Sequence, residues 1–218
     1  MDAAISWSDV PKALREQAKP AREAVKLGKS VLLVGPPGAG KTMIARRLVL
    51  DLCIKQWVES RAAAEHSAIM RLAGMQQVGP LHLPPFRNPH HTVSVLGMRG
   101  SGKDMRPGEL SLAHGGVLFL DEAPEFQRRV LEAVASAHRD GCVSYGGESP
   151  WLLGLPAKFV LVSAANPCPC GWYGYENPTR QCTCTPEQMS RYGARTLVLP
   201  RDVVIKLSPV SFEEMKEF

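Results

Sequence analysis

The stretch that most limits how this chain can fold is GPPGAGKT, at residues 35–42. It follows the apolar run VLLV at 31–34, which predicts a buried strand, and it leads into a predicted helix over 42–58. A G-x-x-x-x-G-K-[ST] pattern between a strand and a helix is a P-loop, whose backbone N–H groups and helix start bind phosphate. We expect Lys41 to reach the β- and γ-phosphates of a nucleotide and Thr42 to hold Mg²⁺. The predicted nucleotide-binding residues of the loop are Gly35, Pro36, Pro37, Gly38, Ala39, Gly40, Lys41 and Thr42.

Two further apolar runs also end in polar side chains. GVLFLDE at 116–122 predicts a second buried strand and ends in Asp121 and Glu122, and KFVLVSAAN at 158–166 predicts a third and ends in Asn166. Ligands of α/β sheets bind at the carboxyl ends of the strands. We expect Asp121 to bind Mg²⁺ and Glu122 to deprotonate an attacking water. We expect Asn166 to contact the γ-phosphate or that water; the alternatives are a solvated acid pair and an ordinary turn asparagine.

Strands that alternate with helices predict an α/β fold, a parallel sheet flanked by helices. A helix is predicted over 12–27, ending at Gly28, with Pro20 either kinking it or starting it. A second is predicted over 125–140, ending at Gly141. CVSY and WLLGL, on either side of Gly146–Pro150, predict a hairpin, and 79–116 reads as long loops around short elements.

The predicted organisation has three parts. Residues 1–28 form a helical lead-in, residues 29–207 the P-loop core, and residues 208–218 a tail. No apolar run approaches the ~18 residues of a membrane helix, and the first residues do not resemble a signal peptide. We therefore expect a cytoplasmic protein without a membrane partner.

Four of the six cysteines lie between residues 166 and 184, as the pairs Cys168-x-Cys170 and Cys182-x-Cys184. In the cytosol, clustered cysteines favour a metal site over disulfides. Four thiolates suit tetrahedral Zn²⁺, although disulfides, free thiols and an iron–sulfur cluster remain alternatives. Zinc would fix this loop so that Asn166 stays aimed at the γ-phosphate. Two other cysteines, Cys53 and Cys142, are predicted to be small buried residues.

The aromatic residues of the cysteine-rich loop, and the basic residues before the second strand, raise the question of nucleic acid. Trp172, Tyr173 and Tyr175 are predicted to pack around the metal, with base stacking as the alternative. The net charge is +5, and five basic residues lie between 70 and 108 against one acid. This segment is either a solvated loop or a surface that faces phosphates. Its basic residues are Arg71, Arg87, Arg99, Lys103 and Arg106.

In combination, these motifs resemble AAA+ ATPases of the magnesium-chelatase-like group, and more narrowly the ComM-like competence proteins. The stretches that carry the resemblance are VGPPGAGKTMIARRL, PPFRNPHHTVS, RPGELSLAHGGVLFLDEAPEF, FVLVSAANPCPCGWYG and CTCTPEQMSRY. The resemblance implies that Gly38, Gly40, Lys41 and Thr42 bind ATP·Mg²⁺, with Asp121 and Glu122 as Walker B and Asn166 as sensor 1. It also implies a hexameric ring and a role in DNA branch migration.

The family loop before Walker B is matched by Phe86, Arg87, His90 and His91. In ring ATPases this region tends to line the pore, and a structural or substrate-contacting role for the two histidines is favoured over metal binding.

The chain departs from the family pattern in three ways. We expect it to lack the N-terminal domain of full-length relatives and the helical lid with its sensor 2 arginine. Where relatives carry S-R-I-S-G-P-L-L-D-R-I-D, with the arginine finger, this chain offers only Arg195 and Arg201. Glu148 lies near a hairpin tip where relatives tend to place arginine. These departures favour an alternative, a hydrolysis-deficient ATP-binding module that partners a full-length relative; a chelatase-type motor subunit is another alternative.

Overall fold

The computed structural model describes residues 6–52, 61–75, 83–145, 153–175 and 181–209. The strands are β1 (Val31–Val34), β2 (Phe86–Arg87), β3 (Gly100–Ser101), β4 (Arg106–Pro107), β5 (Val117–Leu120), β6 (Cys142–Tyr145), β7 (Leu153–Pro156), β8 (Val160–Ala165) and β9 (Val203–Lys206). The α-helices are α1 (Lys12–Lys26), α2 (Lys41–Leu48), α3 (Arg61–Leu72), α4 (Val95–Arg99), α5 (Glu109–Leu112), α6 (Arg128–Asp140) and α7 (Pro186–Arg195). Short 3₁₀ turns lie at Trp7–Asp9, Val49–Asp51 and Ala123–Glu125.

Within the described ranges, a parallel sheet of five strands runs in the order β2-β5-β8-β1-β9. Every residue of β5 and β8 is buried, as expected of parallel strands that are covered on both faces. Alternate side chains of β5 enter two separate cores. Phe119 packs with Ile44 of α2 on one face, and Leu118 packs with Leu131 of α6 on the other. The predicted fold class, a parallel sheet flanked by helices, is confirmed.

The carboxyl ends of the three central strands meet at one edge of the sheet. In the register of the sheet, Val34 lies beside Ala165, and Leu120 lies beside Ser163. The backbone N–H of Gly35 donates to the carbonyl of Ala165 over 3.2 Å, which ties the start of the P-loop to the end of β8. The sheet therefore brings the P-loop to the same edge as the residues that follow β5 and β8.

The helix predicted over 42–58 is shorter than expected. Regular α-helix runs from Lys41 to Leu48, a 3₁₀ turn follows, and Leu52 has an extended backbone, with φ −69° and ψ 132°. The Asp51 carboxylate accepts hydrogen bonds from Trp7 Nε1 at 3.1 Å and from the Arg22 guanidinium at 2.9–3.1 Å. These contacts hold the chain at Asp51 as it leaves the helix. The rest of the predicted helix, with Cys53, lies outside the described residues.

The other helices follow their predictions more closely. Helix α1 contains Pro20 within its length, so the alternative that the helix begins at Pro20 is wrong. It ends just before Gly28, which has φ +69°. Helix α6 ends before Gly141, which has φ +67°, but it starts at Arg128 because Phe126 is extended. The predicted hairpin is formed by β6 and β7, and its tip at 146–152, with Glu148, lies outside the described residues.

Candidate functional site

Lys41 lies at the centre of the P-loop with its side chain folded back under the loop. Its Nζ donates to the carbonyls of Gly35 at 2.7 Å and Pro36 at 2.9 Å, and to Asn166 Oδ1 at 2.9 Å. Only 9% of Lys41 is exposed. Burial lowers the pKa of its ammonium, and the nearby carboxylates of Asp121 and Glu122 act in the opposite direction. A buried cation with neutral partners at the start of a helix is suited to bind an anion.

The backbone of the loop leaves donors available for that anion. Gly38 and Gly40 have φ +82° and +80°, a conformation that favours glycine. Among the described residues, no protein acceptor receives the N–H groups of Gly38, Gly40, Lys41 or Thr42. They border a cavity of about 390 Å³ that is lined by residues 37–43, Asp121, Glu122 and Asn166. A polyphosphate fits this set of unused donors.

Thr42 and Asp121 meet across the cavity floor. The Thr42 hydroxyl donates to Asp121 Oδ2 over 2.7 Å. Mg²⁺ prefers oxygen ligands and is bound by few protein groups when it also binds substrate phosphates. A hydroxyl and a carboxylate beside the phosphate loop match that donor set, so the residues present fit the metal that the sequence predicts.

Glu122 follows β5 in a left-handed backbone conformation, with φ +53° and ψ +47°. A non-glycine residue in this region is strained by roughly 1–2 kcal/mol, and such strain is concentrated at functional sites. The conformation is supported locally, since the Glu122 N–H donates to Asp121 Oδ1 at 3.1 Å and the Glu122 carbonyl accepts from Glu125 N at 2.8 Å. The Glu122 side chain is 56% exposed, beside the cavity. A carboxylate so placed can accept a proton from water.

Asn166 is held on several sides at the end of β8. Its side chain accepts from Lys41, as described above, and its backbone lies close to the Tyr192 hydroxyl of α7. Gly171, at φ +88°, packs so closely that a Cβ there would lie 2.7 Å from Pro37 Cδ and 3.8 Å from Asn166 Cγ. The cysteine-rich loop is therefore in direct contact with the P-loop.

In the segment around β2, the first residues pack within the protein and the two histidines that follow border a cavity. Phe86 stacks on Phe119 with ring centroids 5.9 Å apart, and Arg87 forms a two-pronged ion pair with Glu109, with both N–O distances 2.7 Å. The rings of His90 and His91 lie 4.1 Å apart. Both border a cavity of about 220 Å³ that also includes Glu122, and His91 Nδ1 is 3.8 Å from Glu122 Oε2. The histidines thus lie beside the predicted base, and their role in a pore stays a prediction.

The five basic residues between 70 and 108 do not share one environment. Arg87 is bound to Glu109, and Arg99 donates to the Ser144 carbonyl at 2.9 Å. Arg87 is half-buried, and the other four, Arg71, Arg99, Lys103 and Arg106, are exposed. Phosphate contacts by this segment remain a prediction.

The two arginine-finger candidates lie at different edges of the sheet. Arg195, at the end of α7, donates from Nη1 to the Pro124 carbonyl at 3.0 Å and lies 3.8 Å from Glu125 Oε2. Arg201 is exposed just before β9, at the amino-terminal edge of the parallel sheet. Arg201 is therefore far from the nucleotide edge of its own chain.

The four clustered cysteines converge as predicted from their spacing. All four Sγ atoms lie within 4.8 Å of one another, and the thiols are free. Cys168 Sγ is 3.3 Å from Cys170 Sγ and 3.7 Å from Cys182 Sγ, and the Cys170 N–H donates to Cys184 Sγ at 3.4 Å. No disulfide joins these four cysteines, so the alternative of two disulfides does not describe this arrangement, and the donor set fits a tetrahedral thiolate metal.

The thiols are unequal in acidity. Burial acts to raise the pKa of Cys170, but hydrogen bonds from the Trp172 backbone and the Cys168 thiol lower it to about 6. The pKa of Cys184 is raised to about 12: the Cys170 N–H favours its thiolate, but burial and the neighbouring sulfurs of Cys170 and Cys168 outweigh that contact. A bound cation would remove the repulsion that opposes further deprotonation.

The aromatic residues of this loop have separate roles. The Tyr175 hydroxyl donates to the Leu207 carbonyl at 2.9 Å, and the Tyr173 N–H donates to Cys168 Sγ at 3.4 Å while its ring is exposed. Tyr175 is therefore bonded to the residue that follows β9, and packing of the three aromatic rings around a metal stays a prediction. Cys142, at the start of β6, is half-buried and lies 3.9 Å from the Ser144 hydroxyl.

Sequence reasoning missed two residues that contact the site, Tyr192 and Gly171. Helix α7, which carries Tyr192, has a readable start, since Thr185 and Gln188 form a capping box. Its contact with Asn166 depends on tertiary packing, and no sequence signal indicates it. In the part of the chain that the structure describes, no helix has the length and apolar character needed to span a bilayer.

Comparisons with known proteins place the chain in a family. Residues 12–214 match the family model described as magnesium chelatase, subunit ChlI. The uncharacterized protein YifB of Escherichia coli is 42% identical over 184 residues, and the competence protein ComM of Haemophilus influenzae is 37% identical over 180 residues. Each match covers 82% of this chain and 34% of the relative, so the chain spans about a third of the length of these relatives.

A solved structure shows the same fold at low sequence identity. NtrX from Brucella abortus in complex with ATP aligns with a TM-score of 0.54 at 16% identity, covering 91% of this chain and 37% of that one. The fold is that of AAA+ P-loop proteins. From the family match and the two relatives, the chain belongs to the magnesium chelatase subunit ChlI family.

Proposed function

We propose that this chain is the core of a Mg²⁺-dependent ATPase, which binds ATP at residues 35–42 and hydrolyses it. The observation that supports this most strongly is the convergence of five polar side chains from three separate segments around one cavity. They are Lys41, Thr42, Asp121, Glu122 and Asn166. Lys41 and the free N–H groups of the loop would hold the β- and γ-phosphates.

The chain's own residues then supply the remaining steps of hydrolysis. Thr42 and Asp121 would hold Mg²⁺, which neutralises phosphate charge and helps to orient the leaving group when it is bound. Glu122, with its exposed carboxylate, would take the proton of the attacking water at an Oε atom. Asn166 would exchange its hydrogen bond with Lys41 for one to the γ-phosphate or the water. Together these roles describe attack of water on the γ-phosphorus and release of ADP.

The proposal extends to an oligomeric ring that acts on DNA in the cytoplasm. Similarity to the competence protein ComM supports this, and so does the position of Arg201 at the edge opposite its own cavity. An arginine there is able to serve only a neighbouring subunit's nucleotide. The exposed side chains of Arg71, Lys103 and Arg106 are candidates for contacts with DNA phosphates.

A second candidate function is an ATP-binding module without turnover, which would form a hetero-oligomer with a full-length relative. The observation in its favour is that Arg195 is already bound to Pro124 and Glu125 of its own chain. An arginine finger raises turnover by ~10³–10⁵-fold in other ATPases and GTPases. If Arg195 stays bound to its own chain and reaches no nucleotide, hydrolysis would be very slow. A chelatase-type motor remains a third candidate because of the family match.

The four cysteines are proposed to bind one structural Zn²⁺. Four sulfurs within 4.8 Å of one another support this, and the described residues around them, 166–175 and 181–185, form no helix or strand. Metal analysis of protein purified without added zinc is expected to give about one zinc per chain. Absence of metal, with all four thiols reacting with a thiol reagent, would contradict the site.

Steady-state ATP turnover tests the main proposal. The wild-type chain is compared with Glu122→Gln, with and without forked DNA, and with Glu132→Gln as a control, because Glu132 is an exposed glutamate on α6. Turnover that DNA raises and that Glu122→Gln removes is the expected result. Tight ATP binding without turnover favours the second candidate, whereas turnover that Glu122→Gln leaves intact rules out the assigned base.

A further inference from the structure

Helix α7 starts directly after the cysteine cluster and contacts the groups on both sides of the cavity. We propose that zinc at the four cysteines fixes this helix, and that the helix positions Asn166 and Glu122, so that ATP turnover depends on the metal while ATP binding does not. This inference rests on the ATPase and zinc assignments above.

The first step is the attachment of the helix to the cluster. Cys184 is followed at once by Thr185, the N-cap of α7. The Thr185 hydroxyl accepts from Gln188 N at 3.3 Å, and Gln188 Oε1 accepts from Thr185 N at 2.9 Å. This capping box leaves no flexible residue between the last sulfur ligand and the first helical turn. The position of Cys184 therefore sets where α7 begins.

The second step is the contact with Asn166. Tyr192 is 8% exposed, and its hydroxyl lies close to the Asn166 backbone. Burial raises the pKa of Tyr192 to about 12, and the nearby Asn166 backbone acts in the opposite direction. Asn166 also precedes Cys168 by two residues. Asn166 is thus held from both sides of the cluster, through the chain at Cys168 and through α7 at Tyr192.

The third step is the contact with the turn after Glu122. Arg195 donates to the Pro124 carbonyl at 3.0 Å and lies near Glu125. This turn closes with the hydrogen bond from Glu125 N to the Glu122 carbonyl, which keeps Glu122 in its left-handed conformation. Arg195 therefore supports the geometry of the proposed base within its own chain.

The fourth step explains why the metal is needed. Helix α7 has 10 residues, and Tyr192 is the one residue of this helix that is buried. Isolated helices shorter than ~12–15 residues are marginal in water, and most helical stability in proteins comes from buried faces. A helix this short, with so little buried surface, depends on its anchor. The P-loop, in contrast, is held by β1 and α2, whose apolar residues lie in the core.

The experiment compares Cys184→Ser with Cys142→Ser, a cysteine outside the cluster, and with Tyr192→Phe. Each protein is assayed for zinc content, for affinity for a fluorescent ATP analogue, and for steady-state turnover. We expect Cys184→Ser to lose zinc and to lose turnover by about tenfold or more, since misplacing a group by about 1 Å costs up to ~10²-fold. Its nucleotide affinity should stay within about threefold of wild type, because the P-loop is held by the core.

The other two variants test the Tyr192 contact and the specificity of the effect for the cysteine cluster. Tyr192→Phe should keep zinc and nucleotide affinity but lose turnover several-fold, and Cys142→Ser should match wild type in all three assays. Loss of zinc with wild-type turnover would overturn the inference, and so would a parallel loss of nucleotide affinity and turnover in Cys184→Ser.

Hydrogen exchange keeps this test independent of the ATPase assignment. On removal of zinc from the wild-type chain, amides of 186–195, of Asn166 and of 122–126 should exchange faster, while those of β1 and α2 should not change. Unchanged exchange in 186–195 would refute the inference. A wild-type chain that shows no turnover but does show this exchange pattern would refute the ATPase proposal alone.

Discussion

The nucleotide site and the cysteine cluster lie side by side, yet their geometry is maintained in different ways. In the nucleotide site, the polar side chains come from segments far apart in sequence and are already joined in pairs, as Lys41 to Asn166 and Thr42 to Asp121. Buried strands deliver each of them to the same edge of the sheet. In the cysteine cluster, the four thiols lie between residues 168 and 184, whose described parts form no helix or strand, and three of the thiols, those of Cys168, Cys170 and Cys182, lie 3.3–3.7 Å from one another.

This difference indicates which of the two sites needs its ligand in order to form. Oppositely polarised groups such as an ammonium and an amide oxygen attract one another without a ligand. Thiolates repel one another, so their close approach in the charged state requires a cation. We therefore expect the nucleotide site to exist before ATP binds, and the cysteine cluster to hold its shape through its metal.

The largest effect that tests this comparison is expected from Lys41→Met. Removing two or more charge-assisted hydrogen bonds, at about 1.5–3 kcal/mol each, predicts a loss of ATP affinity of about 10³-fold. The melting temperature should stay the same or rise, because burial disfavours the Lys41 ammonium in the folded chain. Nucleotide titration and thermal melting of the same preparation measure both quantities.

The control for that experiment is Lys29→Met, which removes an exposed lysine close to β1 and should leave ATP affinity unchanged. If Lys41→Met instead lowered the melting temperature sharply, Lys41 would be holding the loop together, and the idea of a site that is formed before ATP binds would fail.

The second effect is a loss of stability when zinc is removed. Cross-linking a loop of about 15 residues is worth roughly 3 kcal/mol, which for a domain of this size corresponds to a fall in melting temperature of about 6–12 °C. Calorimetry before and after treatment with a zinc chelator checks this. The chelator should have no effect on Cys168→Ser, which should already melt at the lower temperature. Equal melting of treated and untreated wild type would contradict a metal-dependent cluster.

The contrast between the two regions also explains why their site residues could be predicted from the sequence. The P-loop residues, Asp121, Glu122 and Asn166 were found because each follows an apolar run, and parallel strands bring their carboxyl ends together. The cysteine cluster was found from its spacing alone, and the four sulfurs do converge. Their roles in catalysis and zinc binding stay predictions.

What the sequence did not predict depends on contacts between distant segments. Strand β9, which pairs with β1, was not predicted although Val203, Val204 and Ile205 are β-branched, because a run of four residues is too short to stand out. Helix α2 ends early where Arg22 and Trp7 bind Asp51. Likewise, the ion pair of Arg87 with Glu109 turns a candidate phosphate ligand into a structural contact. Propensity and spacing are local, so contacts set by tertiary packing lie beyond their reach.

The smallest effect concerns the place where the two regions touch, at Gly171 and Pro37. Gly171→Ala places a methyl group 2.7 Å from Pro37 Cδ and keeps φ near +88°, so both a clash and backbone strain are expected. Gly174→Ala is a matched control, because Gly174 has φ +76° with no atom within 4 Å of the new Cβ. Strain alone predicts about 1 kcal/mol for Gly174→Ala, and the added overpacking predicts about 2 kcal/mol or more for Gly171→Ala.

The difference between the two variants isolates the contact from the backbone conformation. Chemical denaturation of both proteins with zinc bound measures it, and ATP affinity reports whether the displaced Pro37 disturbs the loop. A larger loss of stability for Gly171→Ala, with ATP affinity reduced only a few-fold, would show that the two regions are in contact. It would also show that this contact is not what maintains the geometry of the nucleotide site. Equal losses of stability would mean that the contact between Gly171 and Pro37 contributes nothing to stability, and that the cysteine cluster acts on the nucleotide site through the chain at Cys168 and through α7.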